Sequence, residues 1–114
     1  MSIQVSVIIP NFNCKQYLAK AISSVVRQHN IECEILIIDD GSTDGSVEWL
    51  NKLQQSLPNM RVIKQQNCGV VSVRNKAIEL AKGDYIAFLD ADDYWTDDKL
   101  FNQITYMQNN RDCV

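Results

Sequence analysis

Apolar residues along the chain follow two rhythms, short unbroken runs and runs spaced by three and four, and the two alternate from end to end. The stretch from Ile3 to Ile9 is apolar and rich in β-branched residues, the mark of a buried strand, with Pro10 ending it. Between Lys15 and Gln28, the residues Leu18, Ala21, Ile22, Val25 and Val26 recur at helical spacing. Glu34 to Ile38 is a second buried strand, closed by Asp39-Asp40-Gly41-Ser42-Thr43-Asp44. Ser42, Thr43 and Asp44 each suit the N-cap of a helix carrying Val47, Leu50 and Leu53. Pro58-Asn59 marks a turn, and Arg61 to Gln65 reads as a third strand. Asn67-Cys68-Gly69 then leads into a helix with Val70, Val73, Ala77 and Leu80 on one face, which Gly83 would stop. Tyr85 to Leu89 is a fourth strand, ending at Asp90-Ala91-Asp92-Asp93. Thr96 suits the cap of a last helix, with Asp97 and Asp98 in its first turn, where the helix dipole favours acids. Leu100, Ile104 and Met107 form its inward stripe.

Strand and helix in strict alternation predict an α/β fold, a mostly parallel open sheet with helices on both faces. Ligands of such sheets bind outside the carboxyl ends of the strands. The unusual residues all fall there: Pro10 to Asn13 after strand one, the Asp39 group after strand two, the Asp90 group after strand four.

Composition narrows the function. The length of 114 residues fits one domain or part of one, and 46% hydrophobic with 22% charged residues is an ordinary globular balance. A net charge of −3 argues against a nucleic-acid partner, which would need a basic face. Eight of the 14 acids lie in the Asp39 and Asp90 clusters, which repel themselves unless solvated, used as caps, or holding a cation. Cys14, Cys33, Cys68 and Cys113 show no Cys-x-x-Cys spacing and there is one histidine, His29, which argues against a structural zinc site. The longest apolar run, Val5 to Pro10, is too short to span a bilayer, and reduced thiols fit a cytoplasmic protein. Peripheral contact with the inner face of the membrane is compatible with that location.

The acidic loops carry the candidate chemistry. Asp90 and Asp92 leave a buried strand two residues apart, so both carboxylates can turn toward one hard cation. Mn²⁺ or Mg²⁺ takes one or two protein carboxylates and completes its shell with waters and substrate phosphates. A diphosphate leaving group gains negative charge as its bond breaks, which such a cation offsets. For Asp92 the strand end favours the metal; for Asp93, Asp97 and Asp98 helix capping is the better reading. Asp39 and Asp40 suit a ribose hydroxyl or a base N–H, and equally a turn. The Pro10-Asn11-Phe12-Asn13 loop could line a nucleobase pocket or simply open a helix. Gly69 permits close backbone approach and Arg74 can reach a phosphate, although an exposed helix arginine is as good a reading. His29 suits a surface role near a helix end, and Trp49 and Trp95 suit packing.

Taken in order, these segments resemble a known family. Val5-Ser6-Val7-Ile8-Ile9-Pro10-Asn11-Phe12-Asn13 resembles the opening strand and loop of family 2 glycosyltransferases, and Glu34 through Asp44 looks like their second signature. Arg74-Asn75-Lys76-Ala77, then Ala81 through Asp93, is similar to the run into their Asp-x-Asp motif. The resemblance covers nearly the whole chain and implies the GT-A fold, a nucleotide-diphosphate sugar donor that is usually a UDP-sugar, and a divalent cation. By position, Asp40 would contact the uracil, Asp92 would coordinate the metal, and Asp90 would lie near the ribose and the metal's water shell, with Ala91 between them in the pocket. The Pro10 to Asn13 loop would line the nucleotide. Members of this type invert at the sugar carbon, a carboxylate deprotonating the acceptor hydroxyl. The implied acceptor is a carbohydrate or lipid-linked hydroxyl, as in polysaccharide biosynthesis.

The resemblance places that general base, and the acceptor-binding half, beyond Val114; Asp97, Asp98 and Asp112 do not match the base position. Residues 1–114 are therefore expected to form the nucleotide-sugar-binding half, with sheet edge and apolar surface that invite self-association. Other classes fit less well. In the dehalogenase-type phosphatase motif a threonine follows two residues after the second acid, where Tyr94 stands here. A receiver domain needs a phospho-acceptor on a middle strand and a later lysine. Neither a Gly-x-Gly-x-x-Gly after strand one nor a P-loop lysine is present. The alternative of a different class is a catalytically silent nucleotide-binding or interaction module.

Overall fold

Strand β1 (Val5–Asn11) forms because its alternate residues can be buried on both sides at once. Val5, Val7 and Ile9 point into one core and Ile8 into another, and β2 (Cys33–Asp39) does the same with Ile35 and Ile37 against Leu36 and Ile38. The computed structural model describes residues 4–28, 31–66 and 69–109. The expectations placed on Ile3, His29, Asn67, Cys68, Asp112 and Cys113 lie outside them, as do the side chains of Val70 and Met107. With β3 (Met60–Lys64) and β4 (Tyr85–Phe88), the strands make a four-stranded parallel sheet of order β3-β2-β1-β4.

This order sorts the helices. From β1 to β3 each crossover steps the same way along the sheet, so right-handed connections put α1 (Lys15–Val26) and α2 (Ser46–Gln54) on one face. The step from β3 to β4 runs back past two strands, which puts α3 (Val70–Leu80) on the other. The larger core joins Leu18, Ala21, Ile22 and Val25 of α1, Leu50 of α2, and Leu100 and Ile104 of α4 (Lys99–Asn109). The smaller core holds Val73 and Ala77 of α3 against Ile8, Leu36 and Ile38. Helices thus cover both faces, as the alternating pattern predicts.

Four local expectations need correction. Pro10 does not end β1 but lies inside it, opposite Ile38. The N–H of Val5 bonds toward β2 and the carbonyl of Ile8 toward β4, so by alternation the imino nitrogen of Pro10 faces β4, beyond the last β1–β4 pair at Ile8 and Phe88. No ladder bond is lost there. Helix α2 starts after Gly45, whose φ of 86° marks the left-handed region, rather than at a side-chain cap among Ser42, Thr43 and Asp44. Asp44 still accepts from the Ser46 N–H at 3.0 Å. Asp97 and Asp98 precede α4 instead of filling its first turn, and Asp97 pairs with Arg27 at 3.7 Å. Thr96 offers α4 its carbonyl, while the cap comes from Gln28, 8% exposed. Gln28 Oε1 accepts from the Leu100 N–H at 2.9 Å and its Nε2 donates to the Thr96 carbonyl at 2.6 Å.

Gly83 is the fourth correction. Helix α3 ends at Leu80 with Ala81 extended, and Gly83 lies against β1. A Cβ there would sit 2.6 Å from the Ser6 nitrogen and 2.8 Å from the Val5 carbonyl carbon. Its N–H donates to Ser6 Oγ at 2.8 Å, beside the Lys82 N–H, which donates to buried Glu34 at 2.6 Å.

Candidate functional site

The sheet order reverses between β1 and β4, and a cleft of about 500 Å³ opens there at the carboxyl ends. Its position follows from unequal pairing. On the β2 side, β1 is paired through Asn11; on the β4 side, pairing stops at Ile8. The loops leaving β1 and β4 diverge from that step, as expected at a topological switch point.

One wall is built by Pro10, Asn11, Phe12 and Cys14 of β1 and its loop, and another by Asp40, Gly69, Val73 and Arg74. The third is the end of β4, with Phe88, Asp90, Ala91 and Asp92. Nine expected site residues thus share one opening: Pro10, Asn11, Phe12, Asp40, Gly69, Arg74, Asp90, Ala91 and Asp92. Asn13 and Asp39 do not line it. Asp39 has the strand parity of Ile37 and faces the larger core, whereas Asp40 shares the parity of Ile38 and faces α3.

Asp39 instead locks the two loops together. It is 2% exposed and accepts from Asn11 Nδ2 at 2.7 Å, from Ser42 Oγ at 2.7 Å and from the Ser42 N–H at 3.0 Å. Asn13 extends the lock: its N–H donates to Ser42 Oγ at 2.9 Å, and its Oδ1 accepts from the Thr43 N–H at 2.8 Å. Asp44 adds a third tie by accepting from the Lys15 N–H at 3.0 Å. Its small burial pushes its carboxyl up, but bonds from Ser46 and the Lys15 N–H outweigh that and hold it below the ordinary aspartate value. Asn11 Oδ1 is buried with no hydrogen-bond partner among the described residues, because the Asp39 carboxylate requires the amide nitrogen to face it.

Asp40 is held from the other side. Its Oδ1 accepts from Gln65 Nε2 at 2.8 Å and its Oδ2 from the Gly69 N–H at 3.2 Å, which brings the start of α3 over the cleft. Gly69 has φ 87° and ψ 176°, a backbone region nearly confined to glycine. A Cβ there would meet nothing within 4 Å, so the conformation requires glycine, not crowding within the chain.

Sequence reasoning missed Cys14, Val73 and Phe88. Strand parity could have found Phe88: it pairs with Ile8, whose side chain lies on the α3 face, and it is the last residue of β4. Its ring lies 5.8 Å from the Arg74 guanidinium carbon. Lys20 similarly lies 3.9 Å from the Tyr94 ring, tying α1 to the loop after Asp93. Cys33 is remote, and burial, aided by the Glu32 charge, pushes its thiol up to about 11.

No group of three or more His, Cys, Asp or Glu among the described residues converges as a metal cage. Asp90 and Asp92 are both exposed at the mouth of the cleft, a two-carboxylate oxygen set. That suits a hard cation completed by waters and a diphosphate and does not suit zinc. Among the described residues, no helix is long and apolar enough to cross a membrane.

The chain is similar to several known proteins in sequence and in fold. The chain is 42% identical over 108 residues to the UDP-Glc:α-D-GlcNAc-diphosphoundecaprenol β-1,3-glucosyltransferase WfaP of Escherichia coli, covering 94% of this chain and 42% of that protein. It is 41% identical over 90 residues to the chondroitin synthase of Pasteurella multocida, covering 79% of this chain and 9% of that protein. The chain spans less than half the length of these curated relatives. Among solved structures, Staphylococcus aureus TarS in complex with UDP-GlcNAc superposes with a TM-score of 0.83 at 29% identity, over 94% of this chain and 32% of that one. The fold is that of the GT-A glycosyltransferases. The family model for glycosyl transferase family 2 matches residues 6–114, and the chain belongs to that family.

Proposed function

We infer that residues 1–114 bind the nucleotide of a UDP-sugar in the cleft between β1 and β4, as the donor half of an inverting glycosyltransferase. One observation carries the reading: Asp40, Gly69 and Arg74 face Asp90 and Asp92 across a single opening at the switch point. Asp40, already fixed by Gln65 and Gly69, suits a uracil N–H, and the exposed ring of Phe12 suits the flat face of a base. TarS holds UDP-GlcNAc on the same fold, and the name of the Escherichia coli relative gives UDP-Glc as its donor.

Asp92 and Asp90 would hold Mn²⁺ or Mg²⁺, which when bound offsets the charge that grows on the departing diphosphate. Arg74 adds a fixed positive charge on the opposite wall. In the transfer, the acceptor hydroxyl gives its proton to a carboxylate base, its oxygen bonds to the sugar carbon, and UDP leaves with the electron pair of the broken bond. No acid of this chain is assigned as that base. A carbohydrate or lipid-linked acceptor is part of the same proposal, with transfer at the cytoplasmic side of the membrane. Self-association is assigned to the open edge of β4, the last strand of the sheet, and to the apolar helix surface at Val71 and Ile78 of α3.

Calorimetric titration of UDP with and without Mn²⁺, on this chain and on Asp92→Ala, tests the reading. Binding is expected to require Mn²⁺ and to weaken about tenfold or more in the variant. Equal binding without Mn²⁺ and in Asp92→Ala would remove the metal assignment. No binding to the unsubstituted chain would remove the donor site from these residues.

A further inference from the structure

Arg74 sits on the first turns of α3, and it has no ion-pair partner among the described residues although it shares a cleft with Asp40, Asp90 and Asp92. Its charge is therefore not cancelled by an ion pair with Asp40, Asp90 or Asp92. Among the described residues, the ring it lies over is that of Phe88, 5.8 Å from the guanidinium carbon. Phe88 is 44% exposed even though it belongs to a sheet strand, because α3 covers β1 and β2 on that face and leaves β4 bare. Phe88 is the last residue of β4 and stands two residues before Asp90, so its ring lies at the rim of the same cleft.

We propose that Phe88 is a positioning residue of the donor site, and that its ring holds the Arg74 guanidinium over the cleft, turned toward the nucleotide's anionic groups. The attraction between a guanidinium and a ring face orients the cation without cancelling its charge, which an aspartate partner would do. Gly69 and Asp40 fix the start of α3, so the backbone of Arg74 is already set and only the side chain needs holding. Phe88 thereby acts through Arg74 and touches no reacting atom. The proposal rests on the donor-site reading above.

Two measurements test it on the full chain. In the ligand-free protein, the Arg74 Nε–H resonance, identified by its loss in Arg74→Lys, should be shifted by the ring current of Phe88. The shift should vanish in Phe88→Leu and return in Phe88→Tyr. UDP affinity measured with Mn²⁺ should fall about three- to tenfold in Phe88→Leu and recover in Phe88→Tyr. In an Arg74→Met background the same Phe88→Leu change should have no further effect. An unshifted Arg74 resonance in the ligand-free chain overturns the proposal whether or not UDP binds. So does an equal loss of affinity in the Arg74→Met background, which would show the ring acting alone. UDP binding that is unaffected by Phe88→Leu overturns it while leaving the donor site standing, whereas absence of UDP binding to every form removes both.

Discussion

Alanine at Gly83 is expected to cost about 3 kcal/mol of stability, the upper range for forcing atoms into a packed interior. The new methyl would lie 2.6 Å from the Ser6 nitrogen and 2.8 Å from the Val5 carbonyl carbon. Both are backbone atoms of β1, which is paired on its two sides with β2 and β4 and cannot retreat. Nor can the glycine move away, since its own N–H and that of Lys82 are bonded to Ser6 Oγ and Glu34. Thermal unfolding followed by circular dichroism should show the midpoint lowered by about 10 °C. A midpoint within a degree or two of the parent would mean that the loop from α3 to β4 is looser than this contact implies.

Removing the Glu34 side chain is expected to be comparably damaging. Glu34 is 3% exposed and accepts from Ser6 Oγ at 2.5 Å, the Lys82 N–H at 2.6 Å and Arg61 Nη2 at 3.3 Å. Glu34→Ala leaves these donors without their acceptor in a largely buried place, at a cost of about 3 kcal/mol near neutral pH. Burial pushes the Glu34 carboxyl up, but the bonds from Ser6, Lys82 and Arg61, with the Arg61 charge, outweigh it and hold it below the ordinary 4.5. The unfolded chain therefore takes up the proton first as the solution is acidified. The stabilisation is complete above pH 4.5 and is lost as the pH falls through the lower folded-state value. Glu34→Gln should keep much of the geometry, lose part of the stability at neutral pH, and flatten the acid limb of the unfolding curve. Parallel acid limbs for the parent and the glutamine variant would contradict this. Because Gly83 and Glu34 act on one loop, their combined cost should fall short of the sum.

Much of the fold could be read from the chain because its two central strands are mostly apolar runs buried on both faces. Val5 to Ile9 and Glu34 to Ile38 had no competing interpretation, and α1 announced itself through Leu18, Ala21, Ile22 and Val25. What escaped was set by partners distant in sequence. Gln28 caps α4 from 72 residues away, so the local search for a cap settled on Thr96. Gly83 looked like a helix stop because glycine commonly is one, whereas its position is dictated by contact with β1. In the cleft, clustering of acids after strands located the site but did not say which acid faces it. That is decided by strand parity: Asp39 follows Ile37 toward the larger core, and Asp40 follows Ile38 toward α3. Phe88 escaped for a related reason, since an aromatic residue in a strand is ordinarily core.

The uneven pairing of β1 also bears on how a ligand would be received. Three residues more of β1 are paired toward β2 than toward β4, a step of about 10 Å at the usual rise of a strand. The opening is thus a notch in the sheet and not a gap between movable bodies, and Asn11, Asp39 and Ser42 tie its β1 wall to the loop after β2. That wall is tied down by bonds within the chain itself. A ligand settling there need not freeze the β1 and β2 loops, so more of its contact energy survives as affinity.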